Sequence, residues 1–133
     1  MSKGYARNQE RLQILNSFGK DLTRRAKSKC EFCEAANVKL SVYEVIEAKE
    51  EPQIECCMLI CQDCAAKLDN LKKANAAEMR FLENTAWSEV PIIKACAIYV
   101  LRKLADKNPW AYDIQENVYI DPDTEALLAK IEL

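Results

Sequence analysis

The sequence has no histidine, only two glycines and four prolines in 133 residues, and a formal net charge of only −2. Each scarcity excludes something. Without imidazole no Ser-His or Cys-His dyad forms, and no side chain with an ordinary pKa near neutrality serves as general base. Nucleases of the HNH type, some of which carry paired CxxC motifs, activate water with histidine and are excluded with the rest. Few glycines beside a hydrophobic fraction of 50% argue against a disordered chain and for helices. A charge so near neutral disfavours a surface built throughout for phosphate backbones. No apolar run approaches the roughly 20 residues of a membrane-spanning helix, and the start lacks the basic and apolar regions of an export signal. A cytoplasmic protein with no membrane role is expected, of a length that suits one domain.

Cysteine, by contrast, is plentiful at seven residues. An odd number without an export signal fits metal ligands or buried small hydrophobes better than disulfides. Four of them form two pairs, Cys30-Glu31-Phe32-Cys33 and Cys61-Gln62-Asp63-Cys64. Two thiolates two residues apart grip one ion from a single tight turn, and two such turns complete a tetrahedral sulfur shell. A closed shell of this kind is structural, so no catalytic residue is assigned. Zinc is the expected ion, and iron is its competitor because both accept four sulfurs in a tetrahedron. Cys56 and Cys57 are neighbours on a strand-like run and point to opposite faces. One is expected to be a buried hydrophobe and the other a half-exposed thiol, with a role as spare ligand or redox pair as the lesser reading. Cys96 is expected to pack in the core.

The pattern divides the chain into residues 1–29, an amphipathic helix; residues 30–73, the cysteine module; and residues 74–133, a helical region. In the first part Leu12, Leu15, Phe18 and Leu22 recur at helical spacing over residues 7–27, and Gly19 weakens or bends that helix. Its opposite face is basic. A solvated face is the ordinary reading, and Arg7, Arg11, Arg24, Arg25, Lys27 and Lys29 are the candidates for binding an acidic partner or nucleic acid. In the module, residues 39–46 alternate as a strand, residues 48–53 make a loop, and residues 54–60 return. The second CxxC then opens a helix, whose positive end favours thiolates. Knuckle, hairpin and ligand-bearing helix are the order of a treble clef, so the fold class is α+β, mostly α, with a treble-clef-like or zinc-ribbon module on a helical bundle.

Farther on, a helix is expected over residues 74–84, with Met79 and either Phe81 or Leu82 inward. Ser88 is a plausible cap ahead of Pro91, and residues 92–104, apolar almost all round, read as the central buried helix. Asn108-Pro109 and Asp121-Pro122 open two more helices. Trp87 and Trp110 are expected to plug the joints between elements.

These residues together resemble the PhnA family, named from alkylphosphonate-utilisation operons, from about Leu22 onward. The likeness is carried by the first CxxC with Leu40-Ser41-Val42-Tyr43-Glu44-Val45, by Leu59-Ile60-Cys61-Gln62-Asp63-Cys64, by Trp87-Ser88-Glu89-Val90-Pro91, and by Tyr119-Ile120-Asp121 with Thr124. Glu34-Ala35 stand where the family commonly has glycine, Glu78-Met79 replace a His-Trp pair, and the chain stops at Leu133 without the SH3-like module of many relatives. The resemblance implies a zinc-binding protein and no phosphonate-cleaving chemistry. The expected function is therefore a non-enzymatic zinc module serving protein interaction or regulation, with its partner and oligomeric state open. A nucleic-acid-binding module is the alternative, and a hydrolase of phosphonate metabolism is the least favoured.

Overall fold

The N-terminal stretch expected as one helix is two: α1, Lys3–Ser17, and α2, Gly19–Ala26. The computed structural model describes the backbone of residues 3–133 and the side chains of residues 9–133. At Phe18 the helix tightens, its amide donating to Leu15 O at 3.1 Å. Gly19, which costs about 1 kcal/mol inside a helix, stands at the break. α2 closes with left-handed Lys27 and Ser28 (φ 55° and 62°), Ser28 N–H reaching Thr23 O at 3.2 Å. That is the Schellman pattern with lysine where glycine is usual. Of the expected apolar stripe, Leu22 is buried and Leu15 and Phe18 are partly covered, whereas Leu12 is exposed.

Strand β1, Leu40–Glu44, pairs antiparallel with β2, Cys57–Cys61, in a register that sets Leu40 opposite Cys61 and Glu44 opposite Cys57. Residues 54–56, expected in the returning strand, instead form a 3-10 turn. Cys56 O accepts both Val45 N–H and Ile46 N–H, at 2.9 and 3.4 Å, and closes the hairpin loop. Side chains alternate across the ribbon. Leu59 and Cys57 meet Leu22 of α2 on one face, while Met58 and Ile60 enter the main core on the other. β2 is consequently buried along its whole length. Helix α3, Gln62–Asp69, follows it directly.

The expected helix over residues 74–84 is a 3-10 turn, Ala76–Met79, followed by a single α-turn, α4, Leu82–Thr85. Asn75 Oδ1 accepts Ala77 N–H at 3.0 Å and starts the tight turn, and the break lets Met79 and Leu82 both reach the interior. Helix α5, Pro91–Leu104, is the central buried helix, with α6, Pro109–Asn117, and α7, Pro122–Leu128, packed on it. Ser88 does not cap α5; its hydroxyl accepts Val90 N–H one residue early, at 3.2 Å, and Val90 holds the cap position. Asp121 does cap α7, accepting Thr124 N–H and Oγ1–H, and the bonds from Thr124 hold its carboxyl below the usual range. Trp87 plugs nothing, for it is 58% exposed; Trp110 is partly covered, beneath the Arg80 guanidinium at 4.6 Å.

One buried cluster runs from Cys30 and Phe32 through Met58, Ile60 and Cys64 to Leu82, α5 and Leu128. The cysteine module thus shares its interior with the helical region. Among the described residues no helix is long and apolar enough to cross a membrane.

Candidate metal centre

The first CxxC is presented by a small closed loop. Cys30 N–H donates to Ala35 O at 3.0 Å and Glu34 N–H to Cys30 O at 2.9 Å, with a bridge between Lys29 and Ala36 behind them. The turn requires Glu34 to adopt φ 67°, a left-handed value. The second CxxC gains its shape from a change of element. Cys61 ends β2 in extended conformation as the N-cap of α3, and Cys64 lies in the first helical turn.

Hydrogen bonds to β2, to α2 and to the helical side fix the first turn beside the second. Glu31 N–H donates to Leu59 O at 2.8 Å, and Leu59 N–H returns to the Glu31 carboxylate at 2.8 Å, so the knuckle lies against β2. Arg25 grips the same carboxylate through Nε and Nη2 at 2.7 and 2.8 Å and reaches Cys57 O at 3.1 Å. From the helical side Thr85 Oγ1 donates to Phe32 O at 2.6 Å, while the Phe32 ring is buried edge-on against Phe81, centroids 5.3 Å apart.

The result is four sulfurs, those of Cys30, Cys33, Cys61 and Cys64, all within 4.8 Å of one another. Cys30 Sγ lies 3.8 Å from Cys64 Sγ, and Cys33 Sγ 3.7 Å from Cys61 Sγ. A tetrahedron with metal–sulfur bonds of about 2.3 Å has edges of about 3.8 Å. The residues present therefore fit a four-coordinate ion. Cys30 Sγ also accepts the N–H groups of Cys33 and Cys61 at 3.4 and 3.3 Å. The hydrogen bond shared with Cys64, with those amides, holds the Cys30 thiol down at about 4, against the pull of burial. Burial pushes Cys33 up to about 11, and the bond to Cys30 together with burial pushes Cys64 up strongly. Burial thus opposes ionisation of Cys33 and Cys64, and a bound divalent cation is the kind of partner that offsets that cost.

The other thiols are held apart from this cluster. Cys56 and Cys57 are both buried, so neither is half-exposed as the strand pattern predicts. Cys57 is covered by α2 where it packs on β2, and Cys56 lies in the 3-10 turn before the strand, outside the alternation the sequence suggests. Burial raises both thiols, Cys57 to about 12, and Cys57 donates to Gln53 O at 3.3 Å. Cys96 is fully enclosed in α5.

Of the candidate basic residues, the Arg7 side chain lies outside the described residues. Arg11 and Arg25 are engaged within the chain. Arg11 holds Glu44 with two bonds of 2.7 and 2.8 Å and also donates to Ala48 O and Glu50 O, tying α1 to the hairpin loop. Arg24, Lys27 and Lys29 are exposed, with no ion pair among the described residues. The clamp residues Glu31 and Thr85 have no sequence signature, although a carboxylate six residues after an arginine at a helix end is compatible with pairing across the exit turn. Comparison with protein-family models, with curated proteins and with solved structures gave no match.

Proposed function

We propose that this chain is a non-enzymatic, treble-clef-like zinc module whose Cys30, Cys33, Cys61 and Cys64 hold one structural Zn2+, with the surrounding helices serving interaction or regulation. The observation that carries the reading is the cluster of four sulfurs within 4.8 Å of one another, two of whose separations, 3.7 and 3.8 Å, match the edges of a zinc–thiolate shell. A sulfur at every corner leaves no corner for water or substrate, which supports a structural role. The knuckle, the hairpin and a helix opening on the last two ligands support the treble-clef assignment. The motif likeness to the PhnA family supports zinc over iron, and the reducing environment implied by free thiols fits a cytoplasmic protein.

A second reading has its own observation. Arg24, Lys27 and Lys29 are exposed cations at the end of α2, immediately before the first ligand, with no ion pair among the described residues. An acidic protein surface is the favoured partner of these cations, and nucleic acid is the alternative.

Elemental analysis of protein purified without added metal is expected to find one zinc per chain. Cys30→Ser and Cys61→Ser are each expected to lose it and to melt at lower temperature. Stoichiometric iron, or serine variants that keep both metal and melting curve, would refute the assignment.

A further inference from the structure

Four ligands of one ion are commonly treated as equivalent, but these four are not equally protected. Cys30 and Cys64 are each 1% exposed and lie on the core side of the cluster. Cys33 is the partly exposed member, and together with Cys61 it lines an open cavity of about 680 Å³. The remaining lining is Ala35, Ala66 and exposed Val38 with the polar Lys39, Gln62 and Asp63. Asp63 is paired with Lys67, which leaves Lys39 as the unpaired charge beside the sulfurs among the described residues. The backbone amides of Cys33 and Cys61 both point to Cys30 Sγ, dispersing charge on the inner sulfur.

Resting on the assignment of the four cysteines as metal ligands, we propose that Cys33 is a site of oxidative modification by small peroxides, with Cys61 as its resolving partner. The cavity opens on both sulfurs, but Cys33 is the partly exposed one and Cys61 is buried at 6% exposure, so a hydroperoxide meets Cys33 first, with Cys61 Sγ 3.7 Å away. In the first step an electron pair of the Cys33 thiolate forms an S–O bond, the O–O bond breaks, and hydroxide leaves. In the second, the Cys61 thiolate attacks the sulfenic sulfur, the S–S bond forms, and a second hydroxide leaves. Two thiolates have lost two electrons and one peroxide has become two hydroxides, which take up protons as water. Cys30 and Cys64 alone do not complete a tetrahedral shell, so oxidation releases the ion.

The test uses the metal-loaded chain, its zinc content measured first. Hydrogen peroxide is added below one equivalent, free zinc is followed with a colorimetric chelator, and peptide mass spectrometry maps each cysteine after alkylation. The expected result is a Cys33–Cys61 disulfide appearing in proportion to released zinc, ahead of any change at Cys30, Cys56, Cys57, Cys64 or Cys96. Val38→Trp, which narrows the cavity without touching a ligand, is expected to keep full zinc and slow the oxidation severalfold. First oxidation at another cysteine, or an unchanged rate in V38W, overturns the proposal while the zinc assignment stands. A chain that carries no metal at the outset overturns the assignment and the proposal with it.

Discussion

Glu34 carries the clearest mismatch between residue and backbone in the metal loop. Its φ of 67° is required for the turn that returns Glu34 N–H to Cys30 O, yet a side chain there crowds the following carbonyl. That conformation costs a non-glycine residue about 1–2 kcal/mol. Its side chain is exposed and makes no hydrogen bond among the described residues. Glu34→Gly is therefore expected to remove the strain and to lose about 0.5–1 kcal/mol to the freer unfolded chain, for a net gain of up to about 1.5 kcal/mol. Urea denaturation of the zinc-saturated variant measures this; a clear loss of stability would mean that the Glu34 side chain contributes something the turn geometry does not account for. Lys27, also left-handed, sits in the corresponding place after α2 and is open to the same substitution.

At the scale of elements, the joint between α2, the knuckle and β2 rests on the Arg25–Glu31 pair. Glu31 is 3% exposed and Arg25 28%. Replacing Arg25 with methionine keeps the aliphatic stem but leaves the carboxylate buried with only Leu59 N–H for company. Removing one partner of a fully buried pair costs about 3–5 kcal/mol, and partial exposure of Arg25 reduces this to about 2–3 kcal/mol. Glu31→Gln keeps an oxygen for Leu59 N–H and is expected to cost less. A double-mutant cycle in urea checks the coupling, and purely additive effects would show that the two side chains do not act as a unit. This joint also marks the limit of what the sequence makes legible. The CxxC turns can be read because a metal grip is local, within four residues, and α5 can be read because an all-apolar helix has one place to go. The clamp cannot, since its partners are chosen by the way α2 exits through Lys27 and Ser28. Trp87 and residues 74–84 mislead for a related reason: apolar spacing proposes a helix or a plug, but packing against Phe32 and α5 decides which side chains are covered.

For the whole molecule, the question is whether an ion in the proposed four-cysteine site would stabilise only the hairpin or the entire chain. Phe32, Met58, Ile60, Cys64 and Leu68 belong to the same buried cluster as Leu82, Ile92, Ile98 and Leu128, and Thr85 reaches from α4 to the knuckle's Phe32 O. A knuckle that loosens therefore uncovers α5, and exposing its apolar face destabilises the helices that pack there. Folding is expected to be one transition, with metal binding coupled to all of it. With the proposed zinc site, each tenfold rise in buffered free zinc above the dissociation constant is expected to add about 1.4 kcal/mol, or roughly 5 °C in Tm for a chain of this size. Calorimetry across a series of zinc buffers gives the slope, and circular dichroism read at far- and near-ultraviolet wavelengths tests whether both signals move together. Under strong chelation the single transition is expected to fall to lower temperature without splitting. Two transitions, of which only one responds to zinc, would mean that the helices beyond residue 74 hold their own core and that the shared cluster is a contact between independent units.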